Sequence, residues 1–223
     1  MVDVIHEERA SASHHMDVDA HLVAKGRERS LLRTYEWERF SVTSGVFSDP
    51  AMLLDLLRCE QEGVEIAKRP TGGGVLFHGS DIAFSLFFPM PLEEPVRTLC
   101  QQINSLIMRS LARFLGPCPS SFILPRHGRC QFCMSDLSSS DLLWGDKKIG
   151  GCALRKTSKG LLQQVSLFFA PPSWEQITRC VRNPSDVLFM QKVSTSVEEI
   201  SGQKIDRHSV QEAIITLLTE ELS

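Results

Sequence analysis

The sequence predicts an α+β fold with a largely antiparallel sheet. Strand-like segments crowd the middle of the chain and are not separated one by one by helices, which argues against a doubly wound parallel sheet. After Phe88 the apolar period changes abruptly from two to about 3.6. Three Ser-x-x-Glu/Gln patterns late in the chain mark helix starts. The 223 residues are 42% hydrophobic and 23% charged, enough for a sizeable core within a single domain over 1–223.

The elements follow in order. The first fifteen residues, with Glu7, Glu8, Arg9 and a Ser-Ala-Ser stretch, read as loosely ordered. Residues 16–25 form a short helix stopped by Gly26. Residues 31–37 alternate, with Leu31, Arg33, Tyr35 and Trp37 on one face of a strand. Asp49 caps a helix that Pro50 opens and that runs through Leu57 to end by Gly63. Residues 64–69 read as a strand entering Pro70-Thr71-Gly72-Gly73-Gly74, and Val75-Leu76-Phe77 leave it as another. A third strand spans 81–88. Val96, Leu99, Cys100, Ile103, Leu106, Ile107, Leu111 and Phe114 then form one stripe of a long helix closed by Gly116-Pro117. Residues 117–140 read as loop with a Ser-rich tip, and 141–169 as a β meander turning at Gly145-Asp146 and at 157–160. The capping pairs are Ser173 with Gln176, Ser196 with Glu199, and Ser209 with Glu212. The last helix buries Val210, Ala213, Ile214, Leu217 and Leu218.

Composition narrows the function. A net charge of −3 gives no broad grip on nucleic acid or anionic lipid. The apolar runs are too short to cross a bilayer, and no cleavable signal is read at the start. Seven cysteines without secretory features read as reduced thiols of a cytoplasmic protein.

Three constellations carry possible chemistry. In Lys68-Arg69-Pro70-Thr71-Gly72-Gly73-Gly74-Val75-Leu76-Phe77-His78, successive glycines let backbone N–H groups approach a phosphate or carboxylate, and Arg69 adds a cationic fork. It is neither a P-loop nor a dinucleotide fingerprint, because no Gly-Lys-Ser/Thr follows and a strand, not a helix, comes next. A plain glycine-rich strand connection fits the same residues. In Asp146 to Arg155, Gly150 and Gly151 permit close approach, and Lys148 can stabilise negative charge if it projects over a pocket. The alternative is a solvated hairpin lysine. His127-x2-Cys130-x2-Cys133, with Cys118 upstream, is half a zinc pattern with a weak second half. Ordinary thiols are favoured over a metal, and Cys133 is a candidate nucleophile. His78 reads as a polar strand-end residue rather than a base.

Arg69-Pro-Thr-Gly-Gly-Gly-x-x-x-His78, with a looser match from Asp141 through Lys148-x-x-Gly151-x-Ala153-x-Arg155 to an Asp-x5-Lys-x-x-Gly-x-Ala-x-Arg pattern downstream, resembles the lipoate–protein ligase A family of the biotin/lipoate ligase group. Leu31 to Trp37 is similar to that family's Leu-Arg-x-Tyr-x-Trp strand, and Val197-Glu198-Glu199 with the following helix is similar to the end of its catalytic domain. The resemblance implies a mixed, mainly antiparallel sheet flanked by helices. It implies activation of lipoate or octanoate with ATP and Mg2+ to an acyl-adenylate, then amide formation on a lysine of a lipoyl domain. The acceptor would belong to a 2-oxo-acid dehydrogenase complex or be the glycine-cleavage carrier protein. By resemblance Lys148 is catalytic. Arg69, Thr71, Gly72, Gly73, Gly74, Val75, Leu76, Phe77, His78, Lys148, Gly151 and Ala153 would bind ATP and the acyl-adenylate. Strands around Leu76 and Phe84 would form the acyl slot.

The chain departs from that pattern in places. Asp81 stands where asparagine is common, and Gln163-Gln164-Val165-Ser166 replaces a His-His-Gly-Ser/Thr type of strand. No accessory C-terminal domain is read; in some members of the family that domain, or a separate small protein, is required for adenylation, so a separate accessory subunit is among the candidate partners. Two other readings stay open. Related amidotransferases carry an acyl-accepting cysteine where Cys133 stands, fifteen residues before Lys148, and need no ATP, although they often carry a larger residue in place of Gly74. A non-catalytic lipoyl-binding module is the third.

Overall fold

The computed structural model describes residues 2–119, 132–136 and 141–222. Among them are nine strands and seven α-helices. A six-stranded sheet has the order β1-β2-β6-β9-β8-β7, from β1 (Asp3–His6), β2 (Leu31–Tyr35), β6 (Asp81–Pro89), β9 (Gly160–Phe168), β8 (Lys147–Lys156) and β7 (Leu142–Trp144). It is antiparallel except where β1 runs parallel to β2. A three-stranded sheet has the order β4-β3-β5, from β3 (Ser41–Ser44), β4 (Glu65–Lys68) and β5 (Val75–His78). The α+β, mainly antiparallel class is as the sequence predicts.

Alternation within the strands creates two faces. On β6, Ile82, Phe84 and Leu86 turn to the main core, where they meet Ile103, Ile107 and Leu111 of α3 (Val96–Leu115) and Val210, Ile214 and Leu218 of α7 (Arg207–Glu221). Val42 of β3 with Val75 and Phe77 of β5 form a second core. It is covered by Cys59 of α2 (Leu56–Gln61), Ile177 and Cys180 of α4 (Trp174–Cys180), and Val187 and Met190 of α5 (Pro184–Val193). The remaining faces of the two sheets meet over a shared cavity.

The structure corrects several expectations. The first fifteen residues are not loose: β1 adds to the open edge of β2, and α1 (Ala12–Lys25) starts four residues early, capped by Ser11, whose hydroxyl accepts from His14 N–H. Glu65 accepts the backbone N–H groups of Ala12 and Ser13 and so supplies that helix start with a carboxylate from another element. Strand β3 was not legible, because Ser-Val-Thr-Ser carries a single large apolar residue. The helix expected from Asp49 is two pieces. Asp49 caps only the 3-10 turn Pro50–Met52, and Asp55 caps α2. Ser173 and Ser196 cap α4 and α6 (Val197–Ser201) as expected. Ser209 does not cap α7. Asp206, three residues earlier, does, its carboxylate accepting both the N–H and the hydroxyl of Ser209.

Candidate functional site

A cavity of about 250 Å³ lies between the two sheets. Its wall is built by strand parity. Leu76 and His78 of β5 point in while Val75 and Phe77 point to the second core. Ala83 of β6 and Gln164 and Ser166 of β9 form the floor, whereas Phe84 faces the main core. Of the two strands expected to form the acyl slot, one presents Leu76 to the cavity and the other presents Ala83 in place of Phe84. Gly151 and Ala153 of β8 pair with Ser166 and Gln164, and Met16 of α1, Tyr35 and Trp37 close the far side. Of the twelve residues expected to bind nucleotide and acyl group, Arg69, Gly73, Leu76, His78, Lys148, Gly151 and Ala153 line this cavity; Thr71, Gly72, Gly74, Val75 and Phe77 do not.

Two cavity residues bring the chemistry. Lys148 is buried, with Nζ 2.8 Å from Asp141 Oδ1 and donating to the Asp136 carbonyl at 2.7 Å. The solvated-hairpin reading of this lysine is thereby excluded. Gly151 lets the lysine lie flat: a Cβ there would sit 3.3 Å from Lys148 Cε and 3.4 Å from both Nζ and Asp141 Oδ1. Cys133 also lines the cavity, and its Sγ accepts from the Arg69 guanidinium at 3.4 Å. The two other members of its zinc pattern, His127 and Cys130, lie outside the described residues.

Arg69 is the hinge of the glycine turn. It is buried, and its Nε and NH2 groups donate to the Gly72 carbonyl at 3.2 and 2.9 Å. Its NH1 donates to the carbonyl and hydroxyl of Thr43, both at 3.2 Å. Every nitrogen of the fork thus serves the protein, so Arg69 shapes the site instead of standing free for a phosphate. Gly73 has φ +95°, and a Cβ on it would lie 2.6 Å from Arg69 NH2 and 3.4 Å from Cys133 Sγ. Gly73→Ala is expected to cost about 1–3 kcal/mol from the strained backbone and to push the guanidinium off the sulfur. Thermal melts and the alkylation rate of Cys133 check the two effects separately.

Two buried polar networks flank the cavity. In one, Thr71 donates to Gln164 Oε1 at 2.5 Å and Gln164 Nε2 donates to Asp19 Oδ2 at 2.6 Å. Asp19 also receives Arg33 and Ser85. Burial pushes the Asp19 carboxyl up despite these partners. The network ties α1, β6, β9 and the glycine turn together. In the other, His78 Nδ1 lies 2.8 Å from Asp81 Oδ2, and His78 Nε2 lies 2.8 Å from the Thr43 hydroxyl. Burial raises the Asp81 carboxyl, but His78 and hydrogen bonds from Gly79 N–H and the Ser166 hydroxyl outweigh it and hold it below the ordinary carboxylate range. Asp81 therefore contributes stability above about pH 4 and loses it as pH falls through its folded value. Asp81→Asn is expected to cost about 1–3 kcal/mol at pH 7 and progressively less in acid, measured by urea unfolding across that range.

Asp141, Gln164, Ser166, Thr43, Trp37 and Met16 were not expected as site residues. Strand parity with Ala153 and with His78 points to Gln164 and Thr43, but only once the pairing is known. Cys152 lines the cavity as well, yet burial pushes its thiol up to about 12 and it is no nucleophile. Away from the cavity, Glu7, His14 and His15 bring ligand atoms within 4.8 Å of one another. Arg33 already donates to Glu7 and lies 3.0 Å from His15 Nδ1, so a guanidinium fills the place a metal ion would take.

Known proteins resemble this chain in sequence and in fold. The octanoyltransferase LipM of Exiguobacterium sibiricum is 26% identical over 178 residues, covering 74% of this chain. The chain spans less than two thirds (64%) of that relative's length. LipM of Clostridioides difficile is 21% identical over 238 residues, 99% of this chain and 86% of the relative. The fold matches that of a bi-partite lipoate protein ligase from Thermoplasma acidophilum with TM-score 0.77 at 19% identity, over 99% of this chain and 83% of that one. Residues 11–219 match the profile of the lipoyl protein ligase A/B catalytic domain, and with the glycine turn, the buried lysine and the cysteine in one cavity, the chain belongs to that family.

Proposed function

We propose that this protein is an octanoyltransferase that carries the acyl group on Cys133 and passes it to a lysine amine of a lipoyl domain. The observation that carries the reading is the placement of Cys133, touched by Arg69, in the same cavity as Lys148. The octanoyltransferase names of the relatives support it over an ATP-dependent ligase. So does Arg69, whose donors are committed within the protein.

The steps follow from thioester chemistry. The Cys133 thiolate attacks the carbonyl carbon of an octanoyl thioester on a carrier, and the carbonyl oxygen becomes an oxyanion. The carbon–sulfur bond to the carrier then breaks and the carrier leaves as a thiolate that takes up a proton. The acceptor lysine amine next attacks the Cys133 thioester, loses a proton, and the bond to Cys133 breaks to regenerate the thiolate. Lys148 supplies positive charge at the oxyanion in both steps. The acyl group stays activated throughout, so ATP and Mg2+ have no role. Among the described residues no helix is long and apolar enough to cross a membrane.

The test is transfer from octanoylated acyl carrier protein to a purified lipoyl domain without nucleotide. Amide formation without ATP is the expected result. Amide formation from free octanoate or lipoate that requires ATP, with matching pyrophosphate release, would replace this reading with the ligase.

A further inference from the structure

We propose that Asp81, His78 and Thr43 are positioning residues for Cys133, forming a continuous hydrogen-bonded chain that fixes the Arg69 guanidinium on the sulfur. The inference rests on the Cys133 reading above and adds three residues that touch neither thiol nor acyl group in the scheme.

The relay is a continuous chain of short contacts. Asp81 Oδ2 lies 2.8 Å from His78 Nδ1. His78 Nε2 lies 2.8 Å from Thr43 Oγ1. Thr43 Oγ1 accepts from Arg69 NH1 at 3.2 Å, and Arg69 NH2 donates to Cys133 Sγ at 3.4 Å. Asp81 accepts from Gly79 N–H and from the Ser166 hydroxyl, so it is an acceptor on every side, and the ring's Nδ1 carries a proton towards it. The threonine oxygen lies between the ring's Nε2 and the Arg69 guanidinium, from which it accepts. Asp81, His78, Thr43 and Arg69 are all buried, so water does not substitute freely for a lost link.

The parts come from four elements that the sequence keeps far apart. Thr43 sits on β3, His78 ends β5, Asp81 starts β6, and Arg69 follows β4. The Trp37 ring lies over His78 with centroids 4.2 Å apart and fixes its plane. Asp81 is the charged group hydrogen-bonded to the ring. Around the Cys133 sulfur, the cavity presents Arg69 from the end of β4 and Lys148 from β8, with Asp141 and Asp136 beside that lysine. Arg69 is the cation in contact with the sulfur, so the position of its fork sets the surroundings in which the sulfur reacts.

The experiment follows the alkylation of Cys133 in the free protein by iodoacetamide, resolved from the other cysteines by peptide mass spectrometry. Thr43→Val is expected to slow the reaction at pH 7 several-fold and to alter its pH–rate profile, because the guanidinium that touches the sulfur loses a partner. Thr43→Ser, which keeps the hydroxyl, restores both. His78→Gln gives the same shift as Thr43→Val, and carries the test alone if the valine variant does not fold. Circular dichroism confirms the folded state of each variant. A folded Thr43→Val or His78→Gln protein with the wild-type profile overturns the relay, since a purely structural link would change the melting temperature alone. The assay needs no acyl substrate, so its failure is distinct from failure of the transferase reading, which turns on acyl transfer.

Discussion

Replacing Cys133 by serine lowers octanoyl transfer about a thousandfold or more, because the residue that holds the acyl group is lost and not merely weakened. The hydroxyl of serine stays protonated where a thiolate forms, and Arg69 gains no anion to hold. Incubation of the wild-type protein with octanoylated carrier should leave an acid-stable, hydroxylamine-labile octanoyl adduct on the peptide bearing Cys133. The serine variant should show none there. Fold should survive, since Cys133 is half-exposed and the contact its sulfur makes with the Arg69 fork is one a serine hydroxyl can also accept. Full activity in Cys133→Ser would remove the thioester from the mechanism. It would return attention to activation of a free acid at the same glycine turn.

The second large effect is expected at Lys148. Lys148→Ala should lower kcat by about 10²–10³-fold, the usual cost of removing one preorganised donor to an oxyanion. Arginine should not rescue it. Its planar fork is wider than an ammonium, and the lysine is already 3.3–3.4 Å from where a Cβ of Gly151 would stand. The alanine variant also deletes the buried counter-ion of Asp141, 2.8 Å away, and breaking such a pair costs about 3–5 kcal/mol. Lys148→Met combined with Asp141→Asn separates the two roles. Stability should largely return, because no unpaired charge is buried, while transfer stays low. Should Lys148→Ala remain folded and transfer at close to the wild-type rate, Lys148 would be a structural ion pair and the oxyanion would need another donor.

Much of the fold was legible because its elements obey local rules. The stripe of α3 follows helical period, Gly116 stops it, and the meander of β7, β8 and β9 is punctuated by turn residues. What misled the reading was competition between neighbours. Asp206 and Ser209 both suit an N-cap, and propensity alone does not rank them in place. Strand β1 was missed because its residues are mostly exposed and charged neighbours surround it. It exists because β2 offers an unpaired edge.

The site divides along the same line. The sequence by itself determined the glycine turn, the lysine corner, the candidate cysteine and, through their resemblance to a family, the class of acyl chemistry. Each of these is a short run whose meaning lies in adjacent residues. The tertiary structure alone decided that Lys148 is buried against Asp141, that Phe84 belongs to the core and Gln164 to the cavity, and that Arg69 spends its donors on Thr43, Gly72 and Cys133. These depend on pairing register between distant strands. Because side chains alternate with a period of two, the register selects which half of every strand faces the substrate. No local pattern in the chain carries that choice.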